Sequence, residues 1–242
     1  MTLPLTTLTL DLPLRPSGIT SFRGIIAELI GWENDLFHNH QDGEADKYRH
    51  RFPLVQYKIK RGNAAIMGMG QGSVALRSFI DEAGLHFAGK FPIQERRDEN
   101  FRVGMSERPL HYRICDWLPL NQANYERWQE LAAMEDLEPR RMELERILTA
   151  HILAFAAGIG FEVPRPRGLE ITLHQFQQNK ITRTYHRQNL ESYDARFSAN
   201  MLLPVGVGIG KSSSIGFGTL WPDKSSQKLA ATSLDELGQE VP

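Results

Sequence analysis

What most constrains the fold of this chain is how its hydrophobic period switches across the N-terminal half. TLTLDLPL, residues 7 to 14, alternates as a strand does, and RPSG breaks it. Behind Thr20 or Ser21 as a cap, Phe22, Ile25, Ile26, Leu29 and Ile30 then recur at helical spacing. FPLVQYKI returns to period two with Val55, Tyr57 and Ile59 on one face, RGN turns the chain, and AAIMGM runs back as a hairpin partner. Ser73 is expected to open a second helix carrying Leu76, Phe79, Ile80 and Ala83, closed by Gly84, with a strand following around Phe101 to Met105. The order β-α-β-β-α-β is that of a ferredoxin-like unit, in which two helices cover one sheet face and leave the other free.

From Leu110 the pattern restarts. HYRICDWL reads as a strand, Asn121 caps NYERWQEL, and a long helix is expected from Pro139 to Gly158 with Leu144, Ile147, Leu148, Ile152 and Phe155 on its apolar side. LEITLHQF alternates, TRTYHRQN and DARFSANMLLP read as extended, and GFGTLW as a terminal strand. The expected class is therefore α+β: two tandem ferredoxin-like (RRM-like) domains, residues 1–107 and 108–222, packed with a cleft between them. A polar tail, residues 223–242, follows.

A chain of 242 residues with 41% hydrophobic content can bury a core of that size. No apolar run approaches the roughly 20 residues of a membrane span, and MTLPLTTLTLDLPLRP lacks the basic flank and apolar block of a secretion signal. A cytoplasmic protein without a membrane partner is the expectation. The single cysteine, Cys115, excludes an internal disulfide and a cysteine zinc cluster.

The net charge of −1 announces no partner, but the bases are unevenly spread. KYRHRFPLVQYKIKR holds Lys47, Arg49, Arg51, Lys58, Lys60 and Arg61 with no acid, and Tyr48, Phe52 and Tyr57 lie between them. Cations for phosphates and rings for bases make this a candidate RNA-contacting strand, against the alternative of a solvated sheet edge. A second basic stretch, KITRTYHR, supplies Lys180, Arg183 and Arg187 around His186. His38 and His40 occupy a polar loop beside the basic strand, where Asp42, Glu44 and Asp46 would join a metal only if the loop folded back. His151 lies on the apolar side of the long helix and reads as a core histidine.

Near the C-terminus, PVGVGIGKSSSIGFG contains GIGKSS, which is close to the end of a phosphate-binding P-loop. The first glycine of that motif would stand at 205, where the chain has Val205, and SSSIGFGTLWP does not begin a helix. The pattern is instead symmetrical: Gly208-Ile209-Gly210, then KSSSI with Lys211, Ser212 and Ser213, then Gly216-Phe217-Gly218. Such glycines let backbone amides approach a phosphodiester or a neighbouring strand, while the lysine and serines supply charge and donors.

This loop resembles that of the CRISPR-associated RNA-processing endoribonucleases of the RAMP superfamily. The chain is similar to them also in length, in its two ferredoxin-like halves, and in a basic, histidine-bearing segment after the first helix. The resemblance implies cleavage of CRISPR precursor transcripts within their repeats, without metal or cofactor. The 2′-hydroxyl attacks the adjacent phosphate and leaves a 2′,3′-cyclic phosphate. It further implies His38 or His40 as general base and Lys47, then Arg49, as the cation that stabilises the transition state. Arg51, Lys58, Lys60, Lys180, Arg183, Arg187 and the glycine-rich loop would be RNA contacts. The archetypes carry a tyrosine in the first helix; FRGIIAELIGW has none, and Tyr48 would have to substitute. Expected partners are CRISPR repeat RNA and subunits of a CRISPR effector complex, with the chain a monomer or homodimer. The alternative reading is a non-cleaving RAMP-type RNA-binding subunit of such a complex.

Overall fold

The computed structural model describes residues 1–31, 34–38, 40–41, 44–48, 52–179, 183–185 and 188–223, of which 40–41, 44–48, 183–185 and 188–190 are described by their backbone alone. The first sheet is built from β1 (Thr2–Pro13), β4 (Val55–Lys60), β5 (Asn63–Met69), β6 (His86–Phe87) and β7 (Phe91–Arg102), in the order β4-β5-β1-β7-β6 and antiparallel throughout. Between β1 and β4 come α1 (Ile19–Ile30), α2 (Asp35–His38), β2 (His40–Gln41) and β3 (Glu44–Tyr48), and α3 (Gln71–Ser78) follows β5.

The second sheet contains β8 (Met105–Trp117), β9 (Ile171–Gln178), β12 (Tyr193–Met201) and β13 (Thr219–Pro222), in the order β13-β8-β12-β9. Two helices, α4 (Gln122–Ala132) and α5 (Glu138–Gly158), connect β8 to β9, and a small ladder of β10 (Arg183–Tyr185) with β11 (Gln188–Leu190) extends the β9–β12 hairpin. Both sheets are thus of the expected ferredoxin-like kind, and the chain passes from one to the other at Val103–Gly104. Only residue 223 of the expected tail falls within the described residues.

Strand β1 shows why the two units pack as they do. Side chains alternate across a strand, and its leucines change phase: Leu8 and Leu10 join Ile19, Phe22, Ile26, Tyr57 and Ile66 under α1, whereas Leu3 and Leu5 join a cluster with Met67, Met69, Trp117 and Phe155. One strand is therefore buried on both faces, by its own helices at one end and by the second unit at the other. On the helix-free face, Gln56, Lys58 and Lys60 of β4 lie beside Ala65 and Met67 of β5.

Several boundaries differ from expectation. Helix α1 starts at Ile19 after Gly18, with no side-chain cap from Thr20 or Ser21, and leaves Ile25 and Leu29 exposed. Helix α3 ends at Ser78 rather than Gly84. Ser73 does not cap it; the Ser73 hydroxyl donates to Thr6 Oγ1 at 2.8 Å, which itself donates to Asp98 at 2.6 Å. The strand expected at 101–105 is divided: Phe101 and Arg102 end a much longer β7, and Met105 opens β8. Asn121 caps α4 as expected, exchanging side-chain and backbone hydrogen bonds with Asn124.

Candidate functional site

In the second unit the place of a second ferredoxin helix, between β12 and β13, is taken by the stretch Pro204–Gly218, whose helical content is one 3-10 turn, Ser213–Ile215. The outgoing and returning arms pair: Ile209 donates to Gly218 O at 2.9 Å, Leu220 to Val207 O at 2.9 Å and Gly206 to Leu220 O at 2.8 Å. That pairing turns the N–H and C=O of buried Gly208 away from β13 and toward the first unit. Both meet fully buried Gln56 of β4: Gly208 N donates to Gln56 Oε1 at 2.7 Å and Gln56 Nε2 donates to Gly208 O at 2.9 Å. Ile215 completes the junction by entering the first unit's core, while Val207 and Ile209 belong to the second's.

The glycines allow this closeness. A Cβ on Gly218, whose φ is +63°, would lie 1.9 Å from Ile209 O. One on Gly210 would lie 2.9 Å from both His151 Nδ1 and Trp117 Nε1, which are hydrogen-bonded to each other at 3.1 Å. His151 thus accepts from an indole beneath the loop, and burial pushes its imidazolium down to about 4, so it stays neutral at physiological pH. At the tip Lys211 is exposed, Ser212 is left-handed with φ 58°, Ser213 is buried and Gly216 has φ +98°. Close approach to the protein's own backbone is the demonstrable use of Gly208 and Gly218, and close approach to the His151 and Trp117 side chains that of Gly210.

The histidine segment is tied to the same region through α1 and β4. Phe37 of α2 is buried in the first core, edge-on to Phe79 at 5.5 Å, and its carbonyl accepts from the Tyr57 hydroxyl at 3.0 Å. Burial raises the Tyr57 phenol well above its ordinary value, so it remains a donor. His38 closes α2, is 2% exposed, and its carbonyl accepts from Arg23 of α1. One turn earlier on α1, Ile19 lies against Gly216, its Cδ1 3.5 Å from where a Cβ would stand. Ile19 and Arg23 are separated by about 6 Å of helix rise, so α1 contacts the glycine-rich loop and the His38 backbone within about a turn.

The backbone of β2 and β3 pairs His40 with Tyr48 and Gln41 with Glu44, which places His38, His40 and Lys47 in one short segment with Tyr48 opposite His40. Arg49, Arg51, Lys180 and Arg187 lie outside the described residues, as does His186, and Arg183 is placed only by its pairing with Leu190. Of the aromatic side chains expected to interleave with the bases, two are packing residues: Tyr57 is fully buried, and Phe52 packs edge-on to Phe155 at 5.1 Å. Lys60 pairs with Glu95 at 2.9 Å, and the Lys58 amine is buried without a hydrogen-bond partner.

Where the two units do not touch, they leave a cleft of about 1010 Å³. The first sheet lines it with Thr7, Lys58, Ala65, Met67, Arg97 and Glu99, the glycine-rich loop with Ile215, Gly216 and Phe217, and the second sheet with Cys115, Asp116, Thr219 and Trp221. Burial first, and then the Asp194 carboxylate, push the Cys115 thiol up, so it is no thiolate. Sequence reasoning missed Gln56 and the β7 residues of this cleft. The alternation of Glu95, Arg97 and Glu99 within QERRDEN was the available signal for the latter; Gln56 had none. Among the described residues no three His, Cys, Asp or Glu side chains gather as metal ligands, and no helix is long and apolar enough to cross a membrane.

Residues 1–97 match the family model described as the Cas6b N-terminal domain, and residues 104–222 that of the Cas6b C-terminal domain. Among solved structures, "Crystal structure of Cas6b" is 23% identical, covers 92% of this chain and 100% of that chain, and superposes with a TM-score of 0.75. A "CRISPR RNA processing endoribonuclease Cas6b" follows at 21% identity, the same coverage and a TM-score of 0.68. "Csf5, CRISPR-Cas type IV Cas6 crRNA endonuclease" shares 11% identity at a TM-score of 0.52, covering 92% of this chain and 100% of that chain. No curated protein matches in sequence.

Proposed function

The chain belongs to the Cas6b family, and from that premise we propose that it cuts CRISPR precursor transcripts within their repeats as a metal-independent endoribonuclease. One family relative in structure is itself a CRISPR RNA processing endoribonuclease. The observation that carries the reading is the convergence at α1, where Arg23 holds the His38 carbonyl and Ile19 abuts Gly216 of the glycine-rich loop. A phosphodiester at that junction would have the histidine segment on one side and the glycine-rich loop on the other.

In the proposed reaction, His38 or His40 takes the proton of the 2′-hydroxyl, whose oxygen attacks the adjacent phosphorus. Lys47 stabilises the extra negative charge of the phosphorane. The bond to the 5′-oxygen breaks, that oxygen takes up a proton, and a 2′,3′-cyclic phosphate remains. Lys60, Arg183 and the tip of the glycine-rich loop, Lys211 to Ser213, line the RNA path, with Arg49, Arg51, Lys180 and Arg187 as further contacts. The product guide RNA would then pass to a CRISPR effector complex.

The test is to incubate the protein with repeat RNA in EDTA beside the His38→Ala, His40→Ala double variant. A specific cut by the wild type, lost in the variant and lost when the scissile position carries a 2′-deoxy sugar, supports this chemistry. Specific binding without any cut would instead identify a non-cleaving RNA-binding subunit.

A further inference from the structure

Lys58 differs from the other described bases around the cleft. Lys60 on the same strand face pairs with Glu95, and Arg97 pairs with Glu99 at 2.6 Å, but Lys58 Nζ is buried with no partner. It pairs in register with Ala65, and the cleft wall it belongs to includes Ile215, Gly216 and Phe217 of the glycine-rich loop. An amine left without an acceptor in such a place resists carrying charge. Burial is the whole cause of a shift that moves its ammonium down to about 7. The charged and titratable groups lining the same cleft are Lys60 from β4, Arg97 and Glu99 from β7, and Cys115 and Asp116 from β8; β1, β5, the start of α1 and the loop contribute none. None of these offsets the burial at Lys58. A lysine stem is long and flexible, so its amine can reach from a buried position toward a ligand in an adjoining cavity.

We propose that Lys58 is a phosphate-binding residue of the cleft, its amine stowed beneath the glycine-rich loop in the free protein and taking up a proton when an RNA backbone phosphate enters. This rests on the RNA-processing reading above and adds to it a proton-coupled contact outside the histidine segment. The sign follows from linkage. Above pH 7 the free protein lacks the proton that the complex holds, so affinity falls as pH rises, approaching tenfold per unit for one coupled proton.

The experiment measures the dissociation constant for repeat RNA carrying a 2′-deoxy sugar at the cleaved position, from pH 6.5 to 9 at fixed ionic strength. Wild type, Lys58→Met and Lys58→Arg are compared. The wild type should weaken steeply above pH 7; the Met variant should bind at least about tenfold more weakly at pH 6.5 and with a flatter profile, and the Arg variant should be flat and tight. Histidine titration is common to all three and cancels in the comparison. Proton uptake, read from calorimetric enthalpies in buffers of different ionisation heat, should drop in the Met variant. A Met variant that matches the wild type in affinity and slope overturns the role of Lys58 and leaves RNA processing intact. Failure of the wild type to bind repeat RNA at any pH overturns both.

Discussion

Replacing Gln56 with leucine tests whether the glycine-rich loop is held by the first unit. Leucine is similar in volume, so the change removes polarity rather than packing. Two hydrogen bonds of 2.7 and 2.9 Å disappear, linking residues 152 positions apart, and the N–H and C=O of buried Gly208 are left facing an apolar side chain. Neither can turn back to β13, because the ladder bonds on either side belong to Ile209 and Leu220. Each intramolecular hydrogen bond is worth about 1 kcal/mol net, and each orphaned buried group costs about 1–3 kcal/mol, so the loss should be about 3–4 kcal/mol. That is a large part of the roughly 5–15 kcal/mol by which domains are stable. Urea unfolding followed by tryptophan fluorescence gives the change in unfolding free energy, and a repeat-RNA titration gives its functional counterpart. Gln56→Leu within about 0.5 kcal/mol of wild type, with unchanged RNA affinity, would refute the latch, since surface changes alone are of that size.

Two further outcomes follow from the same structure. Gly218→Ala should destabilise by on the order of 3 kcal/mol or more, because positive φ and backbone overlap with Ile209 O act together; Gly104→Ala, with nothing within 4 Å of its Cβ, should fall within about 0.5 kcal/mol of wild type in the same melt. Lys58→Met should raise the melting temperature at pH 7. The folded protein loses the Lys58 proton near pH 7, the unfolded chain only near about 10.4, so wild-type stability climbs by up to about 1.4 kcal/mol per pH unit between them. The advantage of the variant should therefore be greatest at and below pH 7 and shrink toward pH 10; a constant gap across melts in that range would show that folding does not depress the amine.

The parts of the fold that were legible are those where one face is buried by neighbours close in sequence. Val55, Tyr57 and Ile59 alternate because α1 covers them, and Asn121 shows as a cap because its partner is three residues away. β7 was hidden because most of its FPIQERRDENFR borders solvent and the cleft, so nothing requires its side chains to be apolar. Ser73 has the identity of a helix cap, yet α3 sits so close to the sheet, Gly68 against Gly72, that its hydroxyl meets Thr6 instead. The histidine segment was recognisable by composition, and the pairing of His40 with Tyr48 adds an alignment that composition does not carry. Tyr57 misled in the opposite direction. Its neighbours in sequence are bases, but alternation sends its ring into the core and only Gln56, Lys58 and Lys60 to the other face.

The glycine-rich loop owes its position to the helix it replaces. A helix in that place would satisfy its own backbone; a loop has to find partners outside itself. Here the returning arm takes Asp116 O for the Gly218 N–H, the outgoing arm takes Leu220 O for the Gly206 N–H, and Gln56 alone serves both polar groups of Gly208. The first two come from the second unit and the last from the first. Apolar side chains divide in the same way, Val207 and Ile209 to one core and Ile215 to the other. The loop can therefore hold its described geometry only when both units are folded and docked, and the exposed Lys211 at its tip then stands at a fixed place relative to α1. An RNA site built there would be preorganised by the joint between the units rather than by either alone, so disturbing that joint at Gln56 should weaken RNA binding while leaving the histidine segment chemically untouched.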